Sequence, residues 1–489
     1  MARNALMARK GIDTIVAESG HQGLSKTLGK ISITAMGIGA IIGAGIFVLT
    51  GTAAARYAGP SIILSFILGG IACSFVGLCY AELAALLPVS GSTYTYAYAT
   101  LGELVAWIIG WDLILEYAAG AATVAVGWSG YAISLLGSLG LPFPKQLAAA
   151  PGTAVTLADG SHAHAWFNLP AAVIVVLLTL LLIGGTRESA RLNTIMVGIK
   201  LVVVLAFVGV GAFFVHTKNW FPVIPPNTGH FGSYGWSGIL RGAGVVFYAY
   251  IGFDAVSTAA QEAKNPQKDM PVGILGSLVI CTLLYMAVAA VLTGIVPYAK
   301  LNVADPIAVG TDAIGIAWFS LLIKIGALTG LTTVVLVLLY GQTRVFYTMA
   351  HDGLLPGLFA HVHPRLKTPY RSQALIGVCV ATIAGLVPIS VLGEMVSIGT
   401  LFAFILVCAA VVRLRQTDGR IKRPFRVPAV PWVPVLGILC CFALMASLPL
   451  ATWLRLVVWL AIGLVLYFAY GRHHAKSRTP NAPLDGAAG

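Results

Sequence analysis

MGIGAIIGAGIFVLTG, residues 36–51, is apolar enough to lie inside a membrane, yet Gly37, Gly39, Gly43 and Gly45 interrupt it. GAGVVFYAYIGFDAVS, residues 242–257, repeats the theme with Gly242, Gly244 and Gly252, and Asp254 follows at once. Glycine weakens a helix by about 1 kcal/mol relative to alanine. In lipid, a backbone group freed from its helix is costly unless protein or water satisfies it. Either stretch alone is accounted for by close helix packing, since Gly39 and Gly43 form a small-xxx-small pair. The pair says more, because the two stretches fall in the first and sixth apolar spans, the same place in two five-helix halves. That correspondence points to an inverted-repeat transporter with its site at the bilayer midplane. The halves show no letter-by-letter similarity, so the repeat rests on the paired interruptions.

Composition makes lipid the solvent. Of 489 residues, 58% are hydrophobic and 10% charged, whereas soluble domains carry about 25% charged residues. Mean hydropathy is +0.89. Apolar runs recur from Ile31 to Tyr470, each about 20 residues long, enough to cross a core of roughly 30 Å as a helix. They lack the alternation of barrel strands. The fold expected is all-α and integral to the membrane, with spans at 31–56, 61–87, 97–134, 169–186, 192–215, 237–260, 272–297, 317–348, 370–388, 392–414, 431–450 and 453–470. The third is too long for one upright helix, so it tilts or runs on into an interfacial piece. The expected organisation is a cytoplasmic tail 1–30, a first repeat 31–216, a second repeat 237–416, two further helices within 430–470, and a polar tail 471–489. No small-residue cleavage site follows Ile31 at the right distance, so the first span reads as uncleaved.

The net charge is +13, and its placement matters more than its size. With the N-terminus inside, 22 of the 30 Lys and Arg residues fall near cytoplasmic ends and 6 near outside ends, while Lys200 and Lys324 lie within spans. This is the positive-inside pattern for two cytoplasmic termini. The basic character therefore reports orientation in a plasma (inner) membrane and contact with anionic lipid, not nucleic acid. The seven cysteines all fall inside spans and behave as small hydrophobes. His162 and His164, in the outside loop 136–168, have no third ligand nearby, so the loop reads as solvated and no metal or cofactor is expected.

Charge at bilayer depth costs about 2.5–3.5 kcal/mol on insertion scales, so such groups face a cavity or a partner. Asp112 and Glu116 are four residues apart in span three and share one helix face. Asp112, beside Trp111, reads equally as an interfacial anchor. Glu116 and Asp254 read as cavity-facing. Lys324, early in span eight, reads as snorkelling to the outer interface. Lys200 is too central for that. Its burial penalises the ammonium, which makes it a proton carrier or half of a static ion pair.

The interruptions suggest how a solute is held. A half-helix starting after a break presents unpaired N–H groups and a positive dipole end to a carboxylate. A half-helix stopping before it presents carbonyls to an amine. A zwitterion fits both.

Further motifs accompany these: PVSGSTYTYAYATLGELVAWIIGWDLILEY (88–117), FYAYIGFDAVSTAAQE (247–262), KNPQKDMP (264–271), YGQTRVFYTMAHDGLLP (340–356) and RPFRVPAVPWVP (423–434). With GIGAIIGAGIFVLTG (37–51), the ordered set resembles the amino acid–polyamine–organocation superfamily, and within it the cationic amino acid transporter family in its bacterial twelve-helix form. The resemblance covers about residues 25–472. It implies a LeuT-like fold of two inverted five-helix repeats plus two helices, helices one and six being broken at Gly43, Gly45 and Gly252. It implies alternating access and proton-coupled amino-acid uptake.

By position, the substrate carboxylate would meet N–H groups at Ala44 and Gly45, and its amine carbonyls near Ile41, Tyr248 and Ile251. Tyr248 would also gate, and Glu116, Asp254 and Leu338 would shape the side-chain pocket. Lys200 would stand where related sodium symporters hold an ion between spans one and eight, which argues for protons as the coupling partner. The partners implied are an amino acid, protons and the bilayer, with room for a small accessory membrane subunit. Two features depart from the family. Ala44 stands where many members carry a hydroxyl residue, and a lysine at 324 is unexpected.

The substrate stays open at this stage. Glu116 and Asp254 either receive a basic side chain or serve the proton path around a small neutral solute. Exchange without net proton movement is one rival. An antiporter-like subunit of a proton-pumping membrane enzyme is another, although that class does not need paired glycine breaks. A nutrient sensor with a transporter fold is a third, and the short tails count against it. No nucleophile–histidine set or phosphate loop marks the chain as an enzyme.

Overall fold

The computed structural model describes residues 9, 28–87, 92–156, 161–185, 190–257, 263–364, 368–417 and 423–475. Most of the two expected tails lies outside the described residues. Almost everything described is helical. The first predicted span is α1 (Lys30–Ile41) followed, after a gap, by a helical run Gly45–Ala58 that includes α2 (Thr50–Ala53) and two π-helical turns. A kink at Gly59 (φ 60) and Pro60 then separates that run from α3 (Ile62–Leu86). The third predicted span is two pieces, α4 (Ser92–Thr100) and α5 (Glu103–Ser138), divided at Gly102, whose φ of 102 only glycine adopts readily. α5 is still 36 residues long, so the length beyond one upright crossing stays within a single unbroken helix.

α6 (Leu169–Ile183) and α7 (Ala190–Gly211) follow. The sixth predicted span is α8 (Gly235–Val246), a 3₁₀ turn Phe247–Tyr250 and α9 (Phe253–Val256). Next come α10 (Pro266–Ile295), α11 (Pro306–Ile314), α12 (Ala317–His351), α13 (Tyr370–Leu386), α14 (Ile389–Thr417), α15 (Trp432–Ser447) and α16 (Leu450–Leu466). Among the described residues, seven helical runs are long and apolar enough to cross a bilayer, and four shorter apolar helices accompany them. The loop between α5 and α6 carries a short two-stranded sheet. Ala154–Thr156 (β1) and His162–His164 (β2) pair antiparallel there, with both histidines exposed.

α5 is the central pillar, packed by α4, α6, α12, α13, α14 and α16. Its partners at the far end are held by polar bolts. Trp111 and Trp459 each donate an indole N–H to the other's carbonyl, at 2.8 and 3.0 Å, and their rings stack 4.6 Å apart. Trp107 donates to the Gly463 carbonyl, and the Tyr467 hydroxyl donates to the Glu103 carboxylate at 2.7 Å. These give α16 a fixed register on α5 where apolar contact with lipid would be just as favourable. The outward faces are Leu- and Val-rich. Val173, Leu177 and Leu180 of α6 and Leu454, Val457 and Val465 of α16 are all exposed. Continuous apolar surface of this kind is a membrane-facing surface, and the protein is an integral membrane protein.

One buried ion cluster ties three elements together. Glu82, at the end of α3, is fully buried and takes a bidentate pair from Arg415 of α14 at 2.9 and 2.7 Å. Arg423 approaches it at 3.2 Å and the Val427 N–H donates to it at 2.7 Å. The RPFRVP stretch is thus pinned against α3 and α14. Glu82→Gln leaves the buried Arg423 and the partly buried Arg415 without an anion, a loss of about 3 kcal/mol for a broken buried pair. Detergent-solubilised protein carrying it will unfold at lower temperature than the parent in a thermal-shift assay, and an unchanged midpoint refutes the pinning role.

Candidate functional site

α1 stops at Ile41 because Ile42 is extended (φ −70, ψ 102), and helix resumes at Gly45 as a π-helical turn. α8 gives way to its 3₁₀ turn, Ile251 is extended (φ −58, ψ 138), and Gly252 has φ 113 before α9 begins. The two interruptions are in direct contact. A Cβ at Gly45 would fall 2.1 Å from the Ala249 Cα, and one at Gly252 would fall 2.5 Å from the Ala40 carbonyl oxygen. Any side chain at either position would collide with backbone. Gly43 lies in the gap, with Val334 of α12 beside it.

Freed carbonyls at the end of α1 must be satisfied. The Ile42 N–H donates to Ile38, Lys200 Nζ donates to Gly39 at 3.3 Å, and the Tyr285 hydroxyl lies 2.8 Å from the Ile41 oxygen. The same hydroxyl lies 2.8 Å from the Ala249 carbonyl in the second interruption, so its one proton is shared between the two breaks. Tyr285 did not figure in the sequence reading. A tyrosine in the middle of an apolar helix needs a partner for its hydroxyl, and that was the available signal.

Lys200, 4% exposed, crosses from α7 to α1 with its aliphatic stem against Gly330 of α12. It therefore spans the first and eighth predicted spans. Its recorded partner is a carbonyl, not a carboxylate. Tyr248 is buried and donates to the Gly120 carbonyl of α5 at 3.3 Å, beside which Leu338 of α12 packs. Asp254 reaches back to accept the Gly252 N–H at 3.0 Å, the local contact that stabilises the start of a helix. Glu116 is buried on α5 next to Thr400 of α14 and interacts electrostatically with Asp254 and Asp112.

The structure thus gathers Ile41, Gly43, Ala44, Gly45, Tyr248, Ile251, Gly252 and Asp254 at the paired breaks, with Glu116 and Leu338 on the flanking helices and Lys200 behind α1. Two carbonyls named for the substrate amine already have donors. Ile41 O has Tyr285, and Tyr248 O has the Ile251 N–H at 3.1 Å. Each keeps one lone pair.

Asp112 is not an interfacial anchor but fully buried. Lys324 does not snorkel alone. Its side chain is 1% exposed and paired with Asp312 at 2.8 Å, with Ser138 as a further acceptor. Among the described residues no cluster of histidine, cysteine and carboxylate suits a metal, and the cysteines are unpaired.

Residues 28–469 match the family model described as amino acid permease. The chain is 47% identical to the methylthioribose transporter of Bacillus subtilis over 96% of its length and 99% of that protein. It is 48% identical to the branched-chain amino acid permease BcaP of Bacillus subtilis over 97% of its length and 99% of that protein. The vacuolar cationic amino acid transporter 4 of Arabidopsis thaliana is 37% identical over 85% of this chain and 68% of its own.

The packing of the breaks makes a sharp prediction. Gly45→Ala and Gly252→Ala will each lower uptake into membrane vesicles by at least roughly tenfold, the second carrying about 1–3 kcal/mol of backbone strain. Gly276→Ala, whose Cβ meets nothing closer than 3.5 Å, will behave as the parent. Equal uptake by all three variants at matched protein levels contradicts the contact.

Proposed function

This chain belongs to the amino acid permease family, and we propose on that premise that it is a secondary transporter that takes up an amino acid together with a proton. The architecture we propose is twelve spans in two inverted five-helix repeats plus two helices, working by alternating access. It sits in the plasma membrane with both termini cytoplasmic. The observation that carries the reading is the contact between the two interrupted helices, because it brings N–H groups and carbonyls of opposite dipole ends to one point.

In this reading the carboxylate docks on the N–H groups of Ala44 and Gly45, at the positive end of the run beginning there. The ammonium takes the remaining lone pairs of Ile41, Tyr248 and Ile251. Tyr248, already bonded across to α5, closes over the ligand. The side chain projects toward Ile251, Leu338, Glu116 and Asp254.

The substrate we infer has an apolar side chain. One oxygen of Asp254 is engaged by the Gly252 N–H, which weakens the case for it as receptor of a basic group. Two matching relatives, at 48% and 34% identity, are named as branched-chain amino acid permeases.

Lys200 supplies the coupling. A protonated ammonium holds the Gly39 carbonyl more strongly than a neutral amine does. Gain or loss of that proton therefore biases where the end of α1 sits, and with it which side the site faces.

Uptake of labelled leucine, arginine and methylthioribose into proteoliposomes, with and without an inward proton gradient, tests this. Leucine will accumulate with the gradient, and Lys200→Ala will lose at least roughly 90% of that accumulation, equivalent to about 1.4 kcal/mol or more of coupling. Entry of arginine or methylthioribose in preference to leucine overturns the substrate class. Full gradient-driven uptake by Lys200→Ala overturns the coupling role.

A further inference from the structure

We propose that Asp112 is a second proton-binding site, a carboxyl group that holds a proton in the arrangement seen here and exchanges it through Glu116 during the transport cycle. The inference rests on the proton-coupled reading above and adds a titrating position far from Lys200 in the chain.

Asp112 has no exposure to solvent, and neither of its carboxyl oxygens has a hydrogen-bond partner. A charge there would be neither hydrated nor paired, which a buried carboxylate does not tolerate. The neighbouring helix gives it nothing to accept from. Across from it on α14 is Gly399, where a Cβ would stand 3.0 Å from Oδ1. Backbone comes close, and no side chain is there to donate.

The charged groups on the packed elements are committed elsewhere. On α14, Glu394 accepts from Tyr57 and Thr452, Arg415 pairs with Glu82, and Arg413 is exposed. On α12, Lys324 pairs with Asp312, Arg344 bonds Tyr340, and His351 is exposed. Arg455 of α16 lies 3.8 Å from Glu394, Arg371 of α13 bonds Tyr370, and Tyr94 of α4 donates to Asp352. α6 carries no charged residue. Glu116 lies one turn along the same helix and interacts electrostatically with both Asp112 and Asp254.

Exposure rises along this set, from 0% at Asp112 to 4% at Glu116 and 9% at Asp254. The way out for a proton therefore runs from the closed interior toward the break between α8 and α9. Each transfer breaks one O–H bond and forms another. An ionised Glu116 accepts the proton that Asp112 gives up and then passes it on toward Asp254. The ladder ends where Asp254 holds the Gly252 N–H, so protonation of Asp254 loosens the contact that shapes the break. That is how proton movement would reach the substrate site.

The test uses the full chain in proteoliposomes with labelled leucine, comparing counterflow without a gradient with accumulation driven by an inward proton gradient. Asp112→Asn has the shape of the neutral acid. It will keep counterflow within about twofold of the parent, lose at least roughly tenfold in gradient-driven accumulation, and flatten the pH dependence of uptake. If the asparagine variant is not recovered from the membrane, Asp112→Ser removes the titration while its hydroxyl can bond back to its own helix. Parental accumulation and an unchanged pH profile in the recovered variant overturn the inference and leave the Lys200 reading standing. A parent protein with no gradient-dependent uptake overturns both.

Discussion

Backbone against backbone is the constraint on which the rest of this structure depends. Gly45 rests on Ala249, and Gly252 rests on the Ala40–Ile41 peptide. Neither contact tolerates a Cβ, so two helices can be broken at the same depth and still pack. The breaks would be ruinous in lipid if their polar groups were left bare. They are not. Lys200, Tyr285 and Asp254 arrive from α7, α10 and α9 to take the exposed carbonyls and one N–H. The groups that stabilise the breaks are also polar groups that a transported solute or proton can compete with. In the proposed mechanism, stability and function draw on the same few atoms.

The remainder of the fold holds that point still. α5 lies beside it and is itself held by paired tryptophans and by Glu103 against α16. Glu82 gathers two arginines and a backbone amide where α3 meets α14. Glu394 joins Tyr57, near the end of the helical run Gly45–Ala58, to Thr452 of α16. A lipid-soluble protein gains little from burying one apolar helix on another, so these polar bolts set register where the hydrophobic effect does not.

Much of this was legible in the sequence. Hydrophobic runs anticipated a largely helical molecule with several membrane-length apolar helices, because a twenty-residue apolar segment has few alternatives in lipid. Paired glycines marked the two interruptions, and the lone lysine of span five marked a polar contact with span one. Partners were less visible. Nothing in the letters said that Tyr285 would sit between two carbonyls, because the contact joins residues 41, 249 and 285 across three elements. Lys324 looked solitary until Asp312 folded back over it. Asp112 read equally as interfacial because Trp111 adjoins it, whereas its side chain is buried against Gly399 of α14. Local pattern identifies which groups are unusual, and tertiary packing decides who meets them.

The claim at the centre is that substrate is gripped by bare peptide groups at the two breaks. Amide hydrogen exchange with and without leucine reads those groups directly. The account predicts slowed exchange in peptides covering 42–47 and 251–254, with little change along α6 and α16. Protection elsewhere with none at the breaks would contradict it.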